Sequence, residues 1–206
     1  MMTTDFGQPQ FLEQGAKFFT RQRGPEELAK LFAIFRVGEH HAVITIGDWL
    51  KSTPEPEVKT GFTRLIWDEG RHTHIWTQRM VELIGQEAVD RLYPDPRRLD
   101  FPHAEYFRLW DEYGKADCLP KRLAYIYVVD GWAALAYNVY LNYIDPVTKW
   151  HLQTILADEH FHVAFGRQMA EKYVTSERDK ELLAREEEKI SGILQNVTDG
   201  FIRSEV

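Results

Sequence analysis

Six side chains suited to divalent metals recur along this chain at a spacing that metal chemistry can use. They are Glu39, Glu69 with His72, Asp130, and Glu159 with His162. Residues three apart on a helix share a face, so each Glu-x-x-His pair can grip one ion from a single helix. All six interrupt otherwise apolar stripes. Burying an acid without a partner is costly or forces it to take a proton. Four acids on four inward faces therefore need a shared counter-charge, which two divalent cations would supply.

The elements that must position them read as helices. Leu28, Phe32, Phe35, Glu39, Ala42, Ile46 and Leu50 recur at three- and four-residue steps, after Pro25 and before Ser52-Thr53-Pro54. A second stripe runs Val58, Phe62, Leu65, Glu69, His72, Trp76 and Leu83. A third, opening just after Pro120, runs Leu123, Tyr127, Asp130, Ala134, Tyr137 and Leu141. Beyond Asp145-Pro146 a fourth runs Leu152, Ile155, Glu159, His162, Gly166, Met169 and Tyr173. Glu39 precedes Glu69 by 30 residues, and Asp130 precedes Glu159 by 29. At about 1.5 Å rise per residue, each gap accommodates a helix out, a short turn and a helix back. Each hairpin thus returns its Glu-x-x-His to the height of the upstream acid, a weak internal repeat with a physical reason.

A connection over residues 87–119, rich in Pro and Arg, separates the hairpins and is expected to carry a short helix near His103 to Tyr113. Its aromatics Tyr106, Phe107 and Trp110 would either form a lid or pack on the helices. A fifth long helix, Ser176 to about Val197, has the charge pattern of a solvent-facing element with one apolar side. A further helix is expected over Phe11 to Phe19. No strand signal appears. The expected architecture is all-α: a four-helix bundle of two hairpins with one long crossover, plus flanking helices, in a single domain over residues 1–206.

Composition sets limits. The 206 residues are 44% hydrophobic, enough for a packed core. No apolar run approaches the roughly 18 residues of a membrane helix, and the N-terminus lacks the pattern of a signal peptide. Cys118 is the only cysteine, so metal ligands must be oxygen and nitrogen, and a reducing cytoplasmic setting is the default. The formal charge of −7 argues against a nucleic-acid partner. His40, His41, His74, His103, His151 and His160 read as surface or packing residues.

The ligand pattern resembles the ferritin-like di-iron carboxylate proteins. Within them, Asp68-Glu69-Gly70-Arg71-His72-Thr73 is similar to the Asp-Glu-x-Arg-His segment of bacterial multicomponent monooxygenase hydroxylases. Asp130, where most relatives have Glu, is similar to the benzoyl-CoA and phenylacetyl-CoA epoxidase subunits. The resemblance spans roughly residues 30–170 and implies that one iron takes Glu39, Glu69 and His72, and the other Asp130, Glu159 and His162. It implies bridging by Glu69 and Glu159. It also implies that Asp68 and Asp158 accept the free N–H of a histidine on the opposite hairpin, with Arg71 pairing one of them. Two departures stand out: Phe161 replaces the Arg that usually precedes the second ligating histidine, and Ala134 replaces a Thr. The proton-handling surroundings are expected to differ accordingly. Ala133, Ala134 and Ala136 either leave room beside the metals or serve ordinary helix packing.

The function this implies is O2 activation by two Fe ions, with Mn or a mixed pair as alternatives. The outcome would be hydroxylation, epoxidation, N-oxygenation or oxidative cleavage of a small-molecule substrate. No flavin or iron–sulfur motif is visible, so an external electron donor, a ferredoxin or reductase, is implied. A homodimer is an option. The alternatives are a ferritin-type ferroxidase and a tRNA-modifying di-iron hydroxylase. A rubrerythrin-type peroxidase is disfavoured by the single cysteine. A ribonucleotide reductase radical subunit is disfavoured by Trp76, which stands where its tyrosine would be.

Overall fold

The computed structural model describes residues 24–92 and 103–203. Among them every regular element is helical: α1 Pro25–Ser52, α2 Pro56–Ile84, α3 Gln86–Arg91, α4 His103–Tyr113, α5 Leu119–Tyr140, α6 Pro146–Tyr173 and α7 Glu177–Arg203. The expected helix at Phe11 to Phe19 and the Pro- and Arg-rich stretch 93–102 lie outside the described residues. No described helix is long and apolar enough to cross a membrane. The described chain divides into two compact units, residues 24–92 and 103–203.

Proline opens four of these helices. Pro25, Pro56, Pro120 and Pro146 each sit in the first turn, where the missing N–H would have had no partner anyway. Asp145 adds a side-chain cap to α6, its Oδ1 accepting from the N–H groups of Val147 and Thr148 at 3.0 Å each. These starts set the phase of the helices that carry the candidate ligands.

In the first unit α1 packs along α2. Near the turn the rings of Trp49 and Phe62 stand 5.8 Å apart, and Thr53 closes α1 by donating to the Trp49 carbonyl at 2.8 Å. Towards the other end Phe32 and Phe35 meet Trp76 at 5.0 and 5.2 Å. Large apolar rings thus lock the register of the hairpin on both sides of Glu39, Glu69 and His72. The short helix α3 was not expected from the sequence; Gly85, with φ +81, turns the chain out of α2 and into it.

In the second unit α5 packs against α4, α6 and α7, and α4 also packs on α7. Residues 122–129 of α5 are buried on every side, as expected of a helix with neighbours around it. Gly166 of α6 permits close approach: a Cβ there would stand 3.0 Å from the Cβ of Tyr127. The helix α7 runs six residues beyond the expected end. Its inner side presents Ile190, Ile193, Leu194 and Val197, together with the buried Glu186, which accepts from the Tyr113 hydroxyl at 2.7 Å. Trp132 donates to Thr198 at 3.0 Å, and Lys189 pairs with Glu112, so polar bonds at several heights tie α7 to its neighbours. Tyr106 packs within its own unit, 4.7 Å from the ring of Trp110 and 6.1 Å from that of Trp132.

Candidate metal centre

Each unit buries one set of two carboxylates and a histidine. In the first, α1 supplies Glu39 and α2 supplies Glu69 and His72, which are 8%, 2% and 0% exposed. One ligand atom from each lies within 4.8 Å of the others. His72 aims Nδ1 at both acids, 3.4 Å from Glu69 Oε2 and 3.7 Å from Glu39 Oε2. In the second unit, α5 supplies Asp130 and α6 supplies Glu159 and His162. His162 aims the corresponding atom at both acids, 3.4 Å from Asp130 Oδ2 and 3.8 Å from Glu159 Oε2. Glu159 and His162 are buried; Asp130 is a little more open.

Those spacings fit a metal. Two ligand atoms each about 2.1 Å from one ion, at bond angles of roughly 90–110°, are about 3.0–3.4 Å apart. The observed gaps are at or slightly above that range and longer than good N–H···O hydrogen bonds. The donor set is also right in charge: two carboxylates and one neutral imidazole balance one divalent cation, and the oxygen and nitrogen donors suit iron or manganese.

The protein alone shows the strain of this arrangement. Burial first, and then the neighbouring Glu69 carboxylate, push the Glu39 carboxyl well above the usual glutamate range, with His72 acting in the opposite sense. Trp76 relieves part of the cost by donating its indole N–H to Glu39 Oε1 at 3.3 Å. Trp76 lies on the apolar stripe of α2 and is fully buried. Its position seven residues after Glu69, on the same helical face, was the signal that it reaches the acids.

Asp68 is 5% exposed, with Arg64 Nε at 3.3 Å and Arg71 at 3.7 Å. Arg64 was not anticipated, although it lies one turn before Asp68. Asp158 is half-buried on α6. Phe161 stacks on Phe165 at 6.1 Å and meets His162 edge-on at 6.1 Å, so an apolar ring occupies the position where an arginine was looked for. Ala134 is buried, and Ala133 and Ala136 are half-buried. Of the histidines set aside, His40, His74 and His160 are exposed, His41 is half-buried, and His151 is buried beside Trp150. The side chain of His103 lies outside the described residues.

No protein-family model, curated protein or solved structure matches this chain.

Proposed function

We propose that the protein is a non-haem di-iron oxygenase in which the two half-sites act on one pair of iron ions. Glu39, Glu69 and His72 would hold one ion, and Asp130, Glu159 and His162 the other. The observation that carries this reading is the duplicated half-site: in each unit a buried histidine points Nδ1 at two carboxylates, one from the neighbouring helix and one from its own preceding turn. The charges also agree. Four carboxylates offset two divalent ions, whereas without an ion the first half-site crowds two buried acids together, which raises the Glu39 carboxyl. The arrangement of the two hairpins as one ferritin-like bundle belongs to the same proposal.

When bound, the iron pair would supply the two-electron chemistry of O2 activation. The chain's own contribution is to hold and shield. Trp76 orients Glu39 through its indole N–H. Arg64 and Arg71 pair with the Asp68 carboxyl one residue from Glu69. Phe32 and Phe35 pack around Trp76 in the first unit, and Phe161 and Phe165 pack beside His162 in the second, so apolar rings flank each half-site and would strengthen its hold on a cation. The substrate would be a small organic molecule, and the electrons would come from a separate ferredoxin or reductase.

Anaerobic loading with Fe(II) followed by a pulse of O2 tests this reading. Saturation at two irons per chain, with O2 consumed and a transient absorption band whose decay responds to added organic substrates, is the expected result. Uptake continuing well past two irons, with mineral-like absorbance, would replace it with a ferritin-type function. No specific uptake would end both readings.

A further inference from the structure

The second unit contains a buried phenol–carboxylate pair beside its half-site that ligand binding does not use. Tyr127 is three residues before Asp130 on α5, so the two share a helical face. Its Cβ packs against Gly166, the residue one turn after His162 on α6. The base of the Tyr127 ring therefore lies between the turn that carries Asp130 and the turn that follows His162. The hydroxyl leads away from there and donates to the carboxylate of Glu187 on α7. The Arg167 guanidinium lies 5.9 Å from the ring centroid. Tyr127 is 6% exposed and Glu187 half-buried, so the phenol is screened from solvent while its proton acceptor has a way out to it. Burial, and then the bond to Glu187, hold the hydroxyl well above the ordinary tyrosine range, so the residue stands as a neutral phenol.

A neutral phenol cannot readily lose an electron without losing its proton, and here the proton has a defined destination. From this geometry we infer that Tyr127 and Glu187 form a redox-active pair that exchanges single electrons with the iron site. Tyr127 gives one electron to the oxidised iron pair and its phenolic proton to Glu187. This leaves a neutral tyrosyl radical, a protonated Glu187 and an iron pair reduced by one electron. The external donor restores the pair by returning one electron to the Tyr127 oxygen, with the proton coming back from Glu187. The inference rests on the iron chemistry proposed above. It adds that reducing equivalents pass through the α5–α7 side of the second unit.

Tyr113 provides a control within the same molecule. It too donates to a glutamate, Glu186, and is buried, but it belongs to α4 and not to either helix that carries ligands. The test is to freeze iron-loaded protein after an O2 pulse without substrate and record its electron paramagnetic resonance. Ring-deuterated tyrosine then identifies the radical by narrowing its signal. A tyrosyl signal present in the wild type and in Tyr113→Phe, and lost in Tyr127→Phe, is expected. Glu187→Gln should slow its formation about 100-fold, the scale of a lost proton acceptor. Tyr127→Phe should still bind two irons, which shows that the loss of signal is not a loss of fold. A signal that survives Tyr127→Phe, or no tyrosyl signal despite two bound irons and O2 consumption, overturns this inference and leaves the di-iron reading standing. Absence of iron uptake overturns both.

Discussion

The indole N–H of Trp76 meets Oε1 of Glu39 at 3.3 Å, joining α2 to the one acid that α1 places on its inner face. Trp76 also closes the aromatic cluster with Phe32 and Phe35, so one side chain serves both packing and the half-site. Trp76→Phe should keep much of the packing and remove the donor. Loss of such an outer partner typically weakens metal binding by about 10- to 100-fold. A competition titration with a chelator would measure this, and unchanged metal affinity in a stably folded variant would remove Trp76 from the site.

Glu39 also makes the metal-free protein respond to pH. Burial and the Glu69 carboxylate hold its carboxyl above the ordinary glutamate range, so between that range and the raised value the folded chain keeps a proton that the unfolded chain has already lost. Stability of the metal-free protein should therefore fall as pH rises from the ordinary glutamate range up to the raised value, and this contribution should then level off. Glu39→Gln should remove that part of the slope, leaving the opposing effects of other carboxylates. Urea denaturation at a series of pH values, comparing wild type with variant, measures the difference. Identical slopes would contradict the assignment.

Two glycines in helices should respond oppositely to alanine. At Gly166 a new Cβ would meet Tyr127 Cβ at 3.0 Å and Ile126 Cγ2 at 3.3 Å, atoms close to the α5 backbone that cannot swing away. Gly166→Ala should destabilise by about 1–3 kcal/mol, because overpacking outweighs the gain in helix propensity. At exposed Gly192 nothing lies within 4 Å, so Gly192→Ala should stabilise by about 0.5–1 kcal/mol. Thermal melts of the two variants separate these cases. Equal shifts would mean that α5 and α6 do not approach as closely as described.

Much of this was legible in the sequence for identifiable reasons. Pro25, Pro120 and Pro146 mark helix starts, and the apolar stripes give each helix its phase, so Glu39, Glu69, His72, Glu159 and His162 could be assigned to inner faces from spacing alone. Other features depend on neighbours that spacing does not reveal. Gln86–Arg91 is one short turn of helix after a glycine, too brief to show a period. The acidic run around Glu186 and Glu187 reads as solvated surface, yet Tyr113 and Tyr127 bind those two carboxylates from α4 and α5. Glu186 lies four residues before Ile190, so the helical period already placed it on the inner side. Residues 122–129 carry the stripe through Leu123 and Tyr127, but that stripe does not reveal that the faces between are covered as well.

The central proposal is that Glu39, Glu69 and His72 hold one ion of a pair, and Asp130, Glu159 and His162 the other. Mössbauer spectroscopy of protein loaded with two equivalents of isotopically enriched iron and then oxidised tests it most directly. Two irons in a spin-coupled, diamagnetic ground state, with coupling lost in both His72→Ala and His162→Ala, is the predicted result. Two independent paramagnetic ferric sites, each abolished by only one of those variants, would contradict it.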